Sequence, residues 1–172
     1  MERLGGAIRE AETIGIPWTV DESKPNAKHV PKSPKRFTKI NPSAAAALRL
    51  LLFTGCRLRE ILHLRAGSMW IWSAACCSCR KTVILNAPAL TVLNGLQQVG
   101  PYVVPGDNPE QPRPDLKRPW DAVTKRAGLA GVRLHDLRHT YASFGAGGGQ
   151  GLPIIGRLLG HSQAATTARY AQ

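Results

Sequence analysis

Apolar positions are densest in the run Ala44-Ala45-Ala46-Ala47-Leu48-Arg49-Leu50-Leu51-Leu52-Phe53, which only Arg49 interrupts. A segment apolar on every face predicts a helix buried on all sides. Asn41-Pro42-Ser43 ahead of it is a helix start, with proline in the first turn. Thr54-Gly55-Cys56 breaks the pattern, and residues 57–64 resume it as a second helix with Ile61, Leu62 and Leu64 on its apolar face. Arg57 therefore sits near a helix N-terminus, where exposed amides and the macrodipole favour an anion. Further helices are predicted over residues 1–15, 89–98, 119–127, 134–144, 153–159 and 162–170, the last capped by Ser162. Strand character is confined to residues 82–85 and 102–105, and Gly145-Ala146-Gly147-Gly148-Gly149 reads as a flexible turn.

Ahead of the first apolar run lie Pro17, Pro25, Pro31 and Pro34, interleaved with Lys24, Lys28, Lys32, Lys35, Arg36 and Lys39. Proline and lysine at this density predict an extended basic strap. It serves either to track a phosphate backbone or as a solvated linker. The whole chain carries a net charge of +12, from 23 basic and 11 acidic residues. A polyanionic partner follows, with nucleic acid first among the choices.

The 172 residues, 43% hydrophobic, suffice for one domain with a real core. No apolar run approaches the roughly 20 residues that span a bilayer. The opening Met1-Glu2-Arg3-Leu4-Gly5-Gly6 lacks the apolar core of a secretion signal. A cytoplasmic location is the expectation. The cysteines, Cys56, Cys76, Cys77 and Cys79, have no second Cys-x2-Cys pair to complete a zinc site. No metal and no cofactor are therefore expected, and a reducing compartment disfavours disulfides.

The chemistry-bearing residues come in order: Arg57 in the first box, His135 and Arg138 three apart on one helical face, then His161 and Tyr170. Two guanidiniums from separate helices can grip the non-bridging oxygens of one phosphodiester. Phosphoryl transfer is served chiefly by such positioned positive charge. An imidazole, His135 or His161, can take the proton that a tyrosine must lose to attack at neutral pH. A phosphotyrosine intermediate keeps the bond energy of the cut strand, so rejoining needs no ATP.

Thr54-Gly55-Cys56-Arg57-Leu58-Arg59-Glu60-Ile61-Leu62, His135-Asp136-Leu137-Arg138-His139-Thr140 and Leu158-Leu159-Gly160-His161-Ser162 with Tyr170 resemble the three boxes of the tyrosine recombinase (phage integrase) catalytic domain. The resemblance covers about residues 38–172. It implies a mainly α fold with a small antiparallel β-sheet. It implies site-specific recombination or integration of double-stranded DNA through Tyr170, by a homotetramer on DNA. It implies as well that Glu60 supports the pocket, whereas Arg59 and His139 have no catalytic part in the family pattern. The family's catalytic lysine lies on a β-hairpin between the first two boxes. Here the register puts either Cys77 at that position or Lys81, in a shortened hairpin, and Lys81 is the local candidate.

Three departures qualify the resemblance. Residues 67–79, with Trp70, Trp72 and three cysteines, are foreign to the rest of the chain, as in a compensated frameshift or a genuine Cys-rich β-segment. Residues 1–37 read as a basic linker, its first helix the end of a missing N-terminal DNA-clamping domain. Residues 38–172 read as a catalytic domain truncated after the nucleophile, which predicts weak DNA affinity and poor assembly. The rival functions are a DNA-binding remnant without turnover, a topoisomerase-like strand transferase and a small zinc protein.

Overall fold

The structure is a computed structural model that describes residues 2–20, 36–65, 75–76, 81–82 and 85–159. Its helices are α1 (Glu2–Thr13), α2 (Pro42–Thr54), α3 (Leu58–Leu62), α4 (Ala87–Asn94), α5 (Lys117–Ala127), α6 (Asp136–Gly147) and α7 (Leu152–Leu159). Its strands pair in two small antiparallel sheets, β1 (Ile16–Pro17) with β2 (Phe37–Thr38) and β3 (Ala75–Cys76) with β4 (Lys81–Thr82). The fold is thus mainly α with small antiparallel sheets, as the resemblance implies.

α2 is the central element. Ala44, Ala45, Ala47, Leu48 and Leu50 are wholly buried, and α1, α4, α5 and α6 all pack against it. The four alanines let neighbouring helices approach closely, and the leucines fill the space between them. Asn41 caps the helix by accepting the Ser43 amide at 2.9 Å, with Pro42 in the first turn. Asn86 does the same for α4, accepting the Ala89 amide at 3.0 Å, while its Nδ2 donates to the Phe53 carbonyl at 2.8 Å. One side chain thereby ties the start of α4 to the end of α2. Arg49, the single charge in the apolar run, pairs with Glu12 of α1 at 2.6 Å.

α1 belongs to the same core: its Leu4, Ala7, Ile8 and Ala11 are buried against α5 and α2. Arg126 of α5 also reaches Glu10 at 2.8 Å. The ends of the basic strap come together as β1 and β2, and the residues between, 21–35, lie outside the described set.

Two local expectations are corrected. The glycines after residue 144 do not open a turn at once; α6 runs through Gly147 and closes with the Gly148 amide on the Phe144 carbonyl at 2.9 Å. Gly145 faces Ile155 of α7 within ordinary van der Waals reach, so this stretch of α6 packs against α7. The strand expected at residues 82–85 begins one residue earlier, at Lys81, because Lys81 and Thr82 pair with Cys76 and Ala75. The helix expected over residues 162–170 lies outside the described residues.

If α1 is an integral part of the core, Ile8→Ala should lower the stability of the chain by about 2–5 kcal/mol, as for other buried isoleucines. Urea unfolding measures this; an unchanged midpoint would show that α1 is not packed as described.

Candidate active site

α2 ends in a left-handed turn at Gly55 (φ 63°), whose amide donates to the Leu51 carbonyl at 3.1 Å. Thr54 Oγ1 donates to the Leu50 carbonyl at 2.6 Å and accepts the Cys56 amide at 3.3 Å. Arg57 then takes the cap position of α3, and its amide is held by Glu60 Oε2 at 2.8 Å. Glu60 Oε1 also pairs with the Arg57 guanidinium at 3.4 Å, leaving that side chain half exposed. Glu60 therefore orients Arg57 from both its main chain and its side chain.

The second segment approaches this turn from α6. Arg138 is 4% exposed, and its guanidinium spans two elements: Nη1 donates to the Gly55 carbonyl and Nη2 to the Leu159 carbonyl, each at 2.5 Å. Gly55 closes α2 and Leu159 ends α7. The two acceptors sit at the negative ends of two helices, where a buried cation is well placed. One side chain thus joins the end of the first box, the His135-x-x-Arg138 box and the segment that leads into His161.

Next to Arg138, a cleft of about 260 Å³ is lined by Cys56, Leu58, Arg133, Leu134 and His135 above Leu51. His135 occupies the cap position of α6 and its ring stands edge-on to His139, with centroids 4.9 Å apart and planes at 84°. Desolvation holds the His135 imidazole below its usual pKa of 6.5, helped by the charges of His139, Arg138 and Arg133 and opposed by Asp136. At neutral pH it is a neutral ring, able to accept a proton.

Of the six expected site residues, His135 and Arg138 line the cleft, and Arg57 lies in the chain between two other lining residues, Cys56 and Leu58. Lys81 lies in β4, opposite Cys76. His161, Tyr170 and the rival position Cys77 lie outside the described residues, as do residues 67–74 and 78–79 of the foreign segment. Among the described residues no group of three or more His, Cys, Asp or Glu is placed to hold a metal ion.

Two residues that sequence reasoning passed over matter here. Tyr141, three positions after Arg138, lays its ring on Gly55, and a Cβ there would meet Tyr141 Cδ1 at 2.5 Å. Its phenol is pushed above the ordinary value by burial and then by Cys56, so it is protonated at neutral pH. The signal for it was its helical spacing from Arg138. Arg133, two residues before His135, lines the cleft; an exposed arginine so close to the box was the signal.

The sequence model of the phage integrase family matches residues 29–172. The integrase of Salmonella phage P22 is 37% identical over 59 residues, which cover 34% of this chain and 15% of that protein. The solved structure of XerA recombinase superimposes with a TM-score of 0.65 at 20% identity, over 100% of this chain and 57% of that one. XerH site-specific recombinase, solved bound to its difH substrate as a pre-cleavage complex, gives 0.66 at 15% identity, over 99% of this chain and 48% of that one. The chain therefore spans about half the length of these two recombinases, and the likeness shows their fold. Among the described residues no helix is long and apolar enough to cross a membrane.

Gly55→Ala should cost about 1–2 kcal/mol from the left-handed backbone alone, with the Tyr141 clash added. A thermal melt checks it, and a variant as stable as the parent would contradict the turn. In a proton titration, His135 should show a midpoint below 6.5. The sign is that of a depressed pKa: its contribution to stability is present above about pH 6.5 and is lost as the pH falls below it. His135→Gln should flatten that acid-side loss; an equal loss in both proteins would assign it to other groups.

Proposed function

The chain belongs to the phage integrase family, and from that membership we propose that it cuts and rejoins double-stranded DNA at specific sites through a covalent bond to Tyr170. The observation that carries this reading is the Arg138 bridge, which draws the first and second boxes against the end of α7, whose chain continues to His161 and Tyr170. The XerH complex with its DNA substrate, on the same fold, supports duplex DNA as the partner. The net charge of +12 supports it as well.

In this mechanism Arg57 and Arg138 bind the non-bridging oxygens of the scissile phosphate. Tyr170 Oη attacks phosphorus, the bond to the 5′ oxygen breaks, and a 3′-phosphotyrosyl link forms. His135, neutral at the start, or His161 receives the phenol proton, and the two imidazoles hydrogen-bond the phosphoryl oxygens. Lys81 supplies the proton that the departing 5′ oxygen takes up. A 5′ hydroxyl from another strand then reverses the step and releases the tyrosine. Exchange between two duplexes breaks four strands, one per tyrosine, so the complete reaction uses four copies. The chemistry needs no metal or organic cofactor.

Covalent trapping tests the proposal. Incubated with DNA nicked at candidate sites and then denatured, the protein should leave an adduct that Tyr170→Phe abolishes. DNA binding without any adduct would replace the enzyme with a DNA-binding protein that lacks turnover.

A further inference from the structure

We infer that Arg133 is a further DNA-binding residue of this site, holding a backbone phosphate at the mouth of the cleft that His135 and Arg138 line. The inference rests on the DNA reading above and adds a residue that the three boxes do not contain.

The main chain around Arg133 is pinned from both sides. The buried Trp120 donates its indole N–H to the Val132 carbonyl at 2.9 Å. The Arg133 amide donates to Asp136 Oδ2 at 2.8 Å, and the Asp136 amide donates back to the Arg133 carbonyl at 2.9 Å. Leu134 packs on the core between them. This reciprocal turn starts α6 and sets where residue 133 stands relative to His135. Its hydrogen bonds use only the amide and carbonyl of residue 133, so any side chain would serve the turn equally.

The guanidinium needs another explanation. It stands on the cleft wall with its side chain 79% exposed, and its ion pair with Asp136 Oδ1 is a single contact of 3.2 Å. A pair this exposed contributes little to stability. Asp136 is held below the ordinary carboxylate range chiefly by the Arg133 amide, so it stays ionised and keeps the turn when the guanidinium leaves. A phosphate offers two oxygens in the geometry that a guanidinium fits, and draws Arg133 away from Asp136 at small cost. The rigid backbone with a lightly held cation is an arrangement that delivers charge to a ligand without first paying to order the loop.

Arg133→Gln and Arg133→Lys in the full chain test this, with binding to the nicked duplex measured across a salt series. Arg133→Gln should bind about five- to tenfold more weakly at 0.1 M salt, and lower the slope of log affinity against log salt by about 0.9, the share of one phosphate. The loss should be equal on unrelated sequences, Arg133→Lys should recover most of it, and the melting temperature should not move. An unchanged slope in Arg133→Gln overturns the assignment, as does a loss that tracks a lowered melting temperature and is not restored by lysine. Failure of the parent protein itself to bind duplex would overturn the DNA reading rather than the placement of Arg133.

Discussion

The site is held together by one buried guanidinium. α2 and α7 point their C-terminal ends at the same place, and each end carries carbonyls that its own helix leaves unbonded. Brought together without a donor, the Gly55 and Leu159 carbonyls would be two buried acceptors with like partial charges facing each other. Arg138 resolves both with its two terminal nitrogens, at 2.5 Å each. Among the described residues, no buried side-chain nitrogen or oxygen lacks a partner. A planar fork is required for the bridge, because the acceptors belong to elements 83 and 21 residues away in the chain. A lysine offers one nitrogen at the end of a flexible stem and cannot span them in a fixed geometry.

The position of every other group in the site follows from that bridge. Gly55 must turn left-handed to aim its carbonyl at Arg138, and it must lack a side chain because Tyr141 fills the space. The turn sends the chain directly into Arg57, whose amide and guanidinium Glu60 then orients. The start of α6 is fixed by its own reciprocal turn and sets His135 one helical turn ahead of Arg138. Burial of Arg138 and placement of Arg57 are therefore one structural event, so damage to the bridge reaches the whole candidate pocket.

Much of this was legible in the sequence, for identifiable reasons. The run from Ala44 to Phe53 is apolar on almost every face, and there α2 is buried except along the partly exposed face of Arg49, Leu52 and Phe53. Asn41-Pro42 and Gly55 bound that helix as caps whose chemistry is local, so reading them needs no knowledge of the fold. Arg57, His135 and Arg138 were legible as a set because their residue types and spacing fit one phosphodiester. What was not legible depends on contacts between distant segments. The carbonyl partners of Arg138 are main-chain atoms and leave no mark on residue identity. The run of α6 through Gly145 and Gly147 contradicts glycine propensity, and it comes where α6 packs against α7. The burial of α1 depends on α5, more than a hundred residues away, although its own apolar spacing was visible.

The electrostatics of the pocket point the same way as its geometry. Arg133 and Arg138 line one cleft, and Arg57 lies in the chain between two of its lining residues, Cys56 and Leu58, in a protein that already carries +12, an arrangement that self-repulsion disfavours. Each has partners close by. Arg57 leans on Glu60 at 3.4 Å and Arg133 on Asp136 at 3.2 Å, while Arg138 donates to two main-chain carbonyls. The two carboxylates are committed first to main-chain amides, at 2.8 Å, and only second to the guanidiniums. A carboxylate so anchored keeps the loops ordered while giving up the cation readily. His135 adds no further positive charge, since the same surroundings keep it neutral. The folded cleft therefore holds the Arg133 and Arg138 guanidiniums beside an imidazole that is neutral at pH 7.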